Sequence, residues 1–157
     1  MAIKAVACAI ALAACTAAQA APSTFGTVVG NGLLCRDQIS NAFFYDYLKS
    51  YFGDPYKREG GAWWFRAPDL QLWGMDVVEL MVSDESYPYS FVGAVVDAAP
   101  DKLEEAIRQH EGLRFAQIGG SAAYPVREGN GGSRIVYVNN RSKIYCAKFK
   151  SMPPALR

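Results

Sequence analysis

Apolar residues recur at helical spacing in two segments of the chain. Within residues 37–52, aromatic and aliphatic side chains return every three or four positions, which predicts a helix of about four turns with an aromatic face. Asp37 is in position to cap its first turn, and Gly53, followed two residues later by Pro55, ends it. We therefore expect the first helix of the domain here.

A second helix is predicted to begin at Pro100 and to end at Gly112. Proline suits the first helical position because its missing N–H would have no partner there, and acidic residues follow where the helix dipole favours negative charge. Its predicted inner face comprises Leu103, Ala106, Ile107 and His110.

Other parts of the chain have the shorter period of extended backbone, with runs rich in aromatic and β-branched residues. The predicted strands are 62–66, 70–82, 89–96, 115–118, 122–126, 134–138 and 143–149, of which 115–118 and 122–126 are weak. Turn residues separate them at 67–69 and at Asn139-Asn140, since asparagine tolerates the positive φ of a tight hairpin. Gly74, inside the second run, indicates a bulge or a bend.

The short connections between strands favour antiparallel pairing. The coarse order is α-βββ-α-βββ, with one further weak strand in the second half. This order predicts an α+β fold of two layers, in which the helices pack on one face of a mostly antiparallel sheet and one disulfide crosslinks the chain. The segments 22–31 and 151–157 contain glycine or proline and are predicted to be loose.

Residues 1–20 differ in composition from the rest of the chain. Lys4 precedes an unbroken apolar run over residues 5–14, and Ala18-Gln19-Ala20 has the small-residue form that signal peptidase cleaves. The apolar run is about half the roughly 20 residues that a bilayer span requires. We expect a cleaved secretory signal at 1–20, a single domain at 21–157, and a periplasmic location.

Cys15 leaves a second interpretation of this segment open. Residues 12–15, Leu-Ala-Ala-Cys, have the pattern of a lipobox, in which the cysteine is acylated and tethers the mature protein to a membrane, although few residues precede it. Membrane association is expected only if Cys15 is lipidated. Mass spectrometry of the mature N-terminus distinguishes the two possibilities.

Removal of the predicted signal leaves two cysteines, Cys35 and Cys146. In an oxidising compartment they are predicted to form a disulfide, the alternative being two separate buried thiols. The bridge would close a loop of roughly 110 residues and stabilise the fold by on the order of 4–5 kcal/mol.

The charge of the chain is balanced. The formal net charge is +1 in total and zero once Lys4 is removed with the signal. This balance provides no electrostatic basis for binding nucleic acid or an anionic membrane, so neither is an expected partner.

Residues of familiar catalytic and metal sites are sparse. His110 is the only histidine, and its place near a helix end is typical of a structural or capping residue. No C-x-x-C pair accompanies it, and Asp84-Glu85 lacks the surrounding loop of a calcium site. Asp76 and Glu79, three residues apart on a strand, point to opposite faces and do not form a glycosidase pair. We expect no catalytic residue, cofactor or metal.

Aromatic residues are concentrated between positions 63 and 73. Strand alternation places Trp63 and Phe65 on one face and Trp64 and Arg66 on the other. If the helices cover only one face, Trp64 and Arg66 form an exposed surface of the residue types that carry binding energy at interfaces. The alternative is that loops cover this face and Trp64 is ordinary core.

These features favour a non-catalytic exported protein that binds another protein, as an inhibitor or immunity factor for a secreted or envelope enzyme or toxin. The predicted partner-binding residues are Trp64, Arg66 and Trp73. The alternative is a carrier of small apolar ligands, with its pocket enclosed between the predicted helix 37–52 and the sheet.

Overall fold

A computed structural model describes residues 24–38 and 40–150 of the chain. The predicted signal at 1–20, the possible lipidation site Cys15 and the C-terminal segment 151–157 lie outside the described residues. The helices are α1 (Phe25–Leu33), α2 (Asn41–Phe52) and α3 (Pro100–Glu111). The strands are β1 (Lys57–Glu59), β2 (Ala62–Leu72), β3 (Met75–Ser83), β4 (Tyr89–Val96), β5 (Phe115–Gly120), β6 (Pro125–Gly129), β7 (Arg134–Val138) and β8 (Arg141–Phe149).

The strands form one antiparallel sheet of eight, in the order β1-β2-β3-β4-β8-β7-β6-β5. Each half of the sheet is a meander of four successive strands preceded by a helix, and the halves join where β4 pairs with β8. Helix α3 carries the chain from the centre of the sheet to its far edge. The predicted α+β class with a mostly antiparallel sheet is confirmed.

Helix α1 replaces much of the loose segment predicted at 22–31. Its glycine and proline content predicted a loose segment, but the chain is helical from Phe25 to Leu33, and one glycine of the helix allows close packing. A Cβ at Gly32 would lie 2.5 Å from the Phe44 ring and 3.2 Å from Val92, so only glycine lets α1 approach both α2 and the sheet this closely.

The other two helices form close to where the pattern predicts them. Ser40, and not Asp37, caps α2, because its hydroxyl accepts the backbone N–H of Phe43 at 3.3 Å. Pro100 begins α3 as predicted, and Gly112 ends it with φ +69°. In the described residues no helix is both long enough and apolar enough to cross a membrane.

The hairpin between β2 and β3 corrects one strand boundary. Residues 67–69, predicted as a turn, lie within β2, where the pairing with β3 shifts register between Arg66 and Leu70. The turn is instead Trp73-Gly74, with φ of +52° and +74°, the geometry of a tight two-residue hairpin. Asn139-Asn140 forms the predicted hairpin turn in the same way, with φ of +47° and +63°.

One continuous core lies between the helices and one face of the sheet. All three helices contribute to it, and the strand residues from both halves meet there. Its fully buried members include Val29, Leu33, Leu48, Phe65, Leu80, Val92, Leu103, Ile107, Ile135 and Ile144. The placement of the helices on one face is therefore as predicted, and the opposite face carries no helix of the described residues.

The predicted disulfide between Cys35 and Cys146 is present, with the two Cα atoms 5.4 Å apart and 111 residues separating them in sequence. Cys35 follows the last turn of α1, and Cys146 is fully buried in β8 near the centre of the sheet. The bridge thus fastens the helix layer to the central strand pair.

Candidate functional site

The uncovered side of the sheet, here called the open face, has a second and smaller apolar cluster. Ala62, Met81 and Val95 are buried there, and Trp64, Val78 and Phe91 pack against them. The strand registers place one row of residues straight across all eight strands. In order from β1 to β5, that row is Lys57, Trp64, Met81, Gly93, Tyr145, Arg134, Glu128 and Ala116.

A groove of about 720 Å³ lies on this face, and we call it the open-face groove. Its walls and floor combine aromatic, aliphatic and cationic side chains, of which the most important are Trp64, Met81, Phe91, Arg134, Lys143 and Tyr145. Gly93 shapes the floor, since a Cβ there would lie 2.9 Å from Met81 Cγ. The glycine therefore leaves the space across which the Met81 side chain extends.

Trp64 stands at one side of the groove between two ammonium groups. The Nζ atoms of Lys57 and Lys143 lie 4.3 Å and 5.5 Å from its ring centroid, both within cation–π distance. Its indole nitrogen donates to the backbone carbonyl of Glu59 at 3.1 Å, which fixes the ring. Trp64 is half-buried, so one part of the ring still faces solvent.

Lys143 lies on β8 and pairs in register with Val95 and Val136. It is half-buried, and burial lowers the pKa of its ammonium, with Lys57 adding to the effect and Glu79 opposing it. Among residues 24–38 and 40–150, no carboxylate oxygen lies within 4.0 Å of its Nζ. The groove therefore holds a partly desolvated cation without an ion-pair partner in that part of the chain.

Two neighbouring cations of the groove rim are neutralised locally. Lys57 pairs with Glu59 at 3.1 Å, and this hydrogen bond raises the pKa of the lysine. Arg134 pairs with Glu128 at 2.7 Å. Because these pairs cancel, the positive charge of the groove is concentrated at Lys143.

Arg66 shares the open face with Trp64, as strand alternation predicts. Its guanidinium stacks on the ring of Tyr56, 4.7 Å from the centroid, and it pairs in register with Glu79. The Tyr56 hydroxyl donates to the Glu79 carboxylate, and burial together with this bond raises the pKa of the tyrosine. Arg66 thus belongs to a polar cluster beside the groove.

Trp73 does not lie on this surface. Its ring is only 9% exposed and belongs to the core under the helices, and its indole nitrogen donates to Glu111 at the end of α3 at 3.0 Å. The predicted grouping of Trp73 with Trp64 and Arg66 is therefore wrong in position. A turn residue does not follow the alternation of strand faces, which explains the difference.

A second cavity, of about 870 Å³, lies between the start of α2 and the end of β3. The cations that line it already have partners in this part of the chain. Buried Asp84 binds Arg58 at 2.7 Å, and Lys150 donates to the backbone carbonyls of Asp84 and Glu85. Asn41 Oδ1 is buried there without a hydrogen-bond partner among the described residues, but the cations are engaged. The open-face groove, which combines aromatic residues with an unpaired cation, is therefore the better candidate for binding a protein.

The residues that the sequence analysis considered as catalytic or metal-binding candidates lie in separate parts of the structure. His110 is exposed on α3, not on its inner face, whereas Leu103, Ala106 and Ile107 are buried as predicted. Asp76 is hydrogen-bonded by Gln71 near the hairpin turn, away from Glu79 and Tyr56. Within the described ranges, no three His, Cys, Asp or Glu side chains converge as a metal site would require.

Sequence reasoning missed Lys143, Tyr145 and Arg134 as groove residues. The alternation in β8 contains a usable signal, because Ser142, Ile144 and Cys146 are buried in the core and the intervening residues must face the other way. The pairing of β8 with β4 could not be read from the sequence. This pairing brings Lys143 within reach of Trp64.

Comparison with known proteins identifies no relative: no family model, curated protein or solved structure matches the chain. The geometry of the groove is accordingly the basis of the functional proposal.

Proposed function

We propose that the chain is a non-catalytic exported protein that binds another protein through the open-face groove, with Trp64 at the centre of the contact. The partner class that the sequence favours, a secreted or envelope enzyme or toxin, is part of this proposal, and the role is that of an inhibitor or immunity factor. The observation that carries it is a sheet face free of described helices, lined by aromatic residues and an unpaired cation.

The composition of the groove supports a protein contact. Tryptophan, tyrosine and arginine are enriched at the centres of protein interfaces, and Trp64, Tyr145 and Arg134 supply all three here. Their positions on paired strands of one sheet hold them in fixed geometry, which reduces the entropy lost on binding.

The extent of the face also supports a macromolecular partner. Seven strand spacings of about 4.8 Å give a width of roughly 34 Å, and six residues along a strand give about 20 Å. The product, roughly 700 Å², is close to the approximately 800 Å² that each partner contributes to a standard protein interface.

The carrier hypothesis finds no support at its predicted location. Phe44, Leu48 and Phe65, each at most 2% exposed, fill the middle of the layer between α2 and the sheet. The cavity at the start of α2 is lined mostly by polar and charged residues, which does not suit an apolar ligand.

Photocrosslinking in the exporting cells tests the proposal. A photoreactive residue at Val136, in the groove, should give a discrete protein adduct, whereas the same residue at Gln109, exposed on α3, should not. Trp64→Ala should abolish the adduct, and Tyr51→Ala, which removes an exposed aromatic on the helix layer, should retain it. An adduct that survives Trp64→Ala, or no adduct from Val136, would overturn the proposal.

A further inference from the structure

We infer that the open-face groove selects an extended protein segment in which an aspartate or glutamate lies two residues from an apolar side chain, so that both face the groove and the carboxylate pairs with Lys143. This inference rests on the proposed function and specifies the chemistry of the partner.

Charge complementarity at Lys143 carries the inference. Its ammonium is half-buried beside Trp64, the other rim cations Lys57 and Arg134 are paired with Glu59 and Glu128, and no carboxylate of the described residues reaches it. The carboxylate of Glu79, on the neighbouring half of the sheet, is engaged by the Tyr56 hydroxyl. Burial has removed part of the water that would solvate the Lys143 ammonium. A carboxylate from a partner would replace that lost water with a charge-assisted hydrogen bond.

The surroundings of Lys143 specify what must accompany the acid. Phe91, packed on the buried Met81, and Trp64 form a half-exposed apolar surface next to it, and Tyr145 lies two residues further along the same strand face. A lone carboxylate would leave this surface exposed to water, whereas an acidic residue and an apolar residue two positions away on the same face cover both. Alternating side chains of an extended segment match the spacing of the face.

Selection from a displayed library of random 12-residue peptides tests the inference with the complete exported chain. Wild type should enrich peptides with an acidic residue two positions from an apolar one. A consensus peptide should bind about 10-fold or more tightly than its Asp→Asn or Glu→Gln form, since a close charge pair is lost. Lys143→Met should remove this preference to within about twofold, and Lys143→Arg should keep it.

Lys148→Met provides the matched control, because Lys148 lies on the same strand and is exposed at a position that alternates with the Lys143 face. It should retain the acid preference. Thermal unfolding of every variant checks that the fold is intact.

The possible outcomes separate the inference from the proposed function. Peptides that bind through Trp64 but do not prefer the acid, or keep that preference in Lys143→Met, would overturn the inference and leave the proposed function standing. A library in which no peptide loses binding on Trp64→Ala would count against both. Lys143-dependent binding to phosphatidylglycerol vesicles, without an acidic-peptide preference, would assign the groove to a lipid surface instead.

Discussion

The indole nitrogen of Trp73 donates a 3.0 Å hydrogen bond to the carboxylate of Glu111, which also accepts from Arg36. This bond joins the β2–β3 turn to the last turn of α3 and holds Trp73 in the core. Trp73, which was predicted from the sequence to bind a partner, therefore lies in the core.

Trp73→Phe should lower the free energy of unfolding by about 1–2 kcal/mol, because it removes a hydrogen bond to a charged group and leaves part of the indole volume empty. Urea unfolding measures the change. Trp64→Phe, which loses only a bond to a backbone carbonyl on the half-exposed face, should cost less. A cost below about 0.5 kcal/mol for Trp73→Phe would contradict the role assigned to its bond with Glu111.

The Cys35–Cys146 bridge should be a major source of stability, since it closes a loop with a sequence separation of 111. Replacing both cysteines with alanine should lower the free energy of unfolding by about 4 kcal/mol through the larger entropy of the unfolded chain. Urea unfolding of the double variant, and of wild type with and without reductant, should give the same loss. A difference under about 1 kcal/mol would show that the bridge adds little to the fold.

Asp84 should make stability depend on pH at the acidic end. Hydrogen bonds from Ser86 and from Arg58 hold the pKa of this carboxyl below its ordinary value, against the opposing effect of burial. Its contribution is therefore fully present above the unfolded pKa, near 3.9, and is lost as the pH falls through the lower folded pKa.

Asp84→Asn should accordingly lower the free energy of unfolding by about 1–3 kcal/mol at pH 7. The difference in this free energy between wild type and the variant should become smaller below about pH 4. Asp54→Asn is the matched control, because Asp54 is 80% exposed in its pair with Lys49 and should change stability by less than about 1 kcal/mol. Denaturant unfolding from pH 7 to pH 2.5 measures both. A difference in the free energy of unfolding between wild type and Asp84→Asn that does not change with pH would contradict the lowered pKa of Asp84 in the folded protein.

Lys143 should stabilise the free protein less than an apolar residue would. Burial lowers the pKa of Lys143, so at neutral pH its charged form is less stable in the folded protein than in the unfolded chain. This penalty is relieved only as the pH rises from the folded pKa towards the unfolded value near 10.4. Lys143→Met should therefore raise the free energy of unfolding by about 0.5–1 kcal/mol at pH 7.

Lys148→Met should change the free energy of unfolding by less than about 0.5 kcal/mol, as expected for an exposed position. Thermal and urea unfolding of the two variants provide the comparison. Destabilisation by Lys143→Met would mean that the ammonium is already well paired in the free protein.

The limits of the sequence-based predictions follow from particular residues. Local signals such as Pro100, Gly112 and Asn139-Asn140 act within a few residues and predicted their elements correctly. The loose segment predicted at 22–31 was wrong over most of its length, because α1 is stabilised by contacts with α2 and the sheet, such as those of Gly32 with Phe44 and Val92, which form only through tertiary packing.

The candidate site also combines features that depend on local sequence with features that depend on tertiary structure. Trp64 and Arg66 share a face because alternation along one strand is a local property. Lys143 joins them only through the pairing of β4 with β8, a contact between the two halves of the sheet that no local pattern specifies.

The dissociation constant of the crosslinked partner for wild type and for Trp64→Ala tests the central claim most directly. A central interface tryptophan contributes about 2 kcal/mol or more, so we expect Trp64→Ala to weaken binding by about 30-fold or more. Tyr51→Ala, on the helix layer, should leave the constant within about twofold of wild type. Equal affinities of wild type and a folded Trp64→Ala variant would contradict binding through the open-face groove.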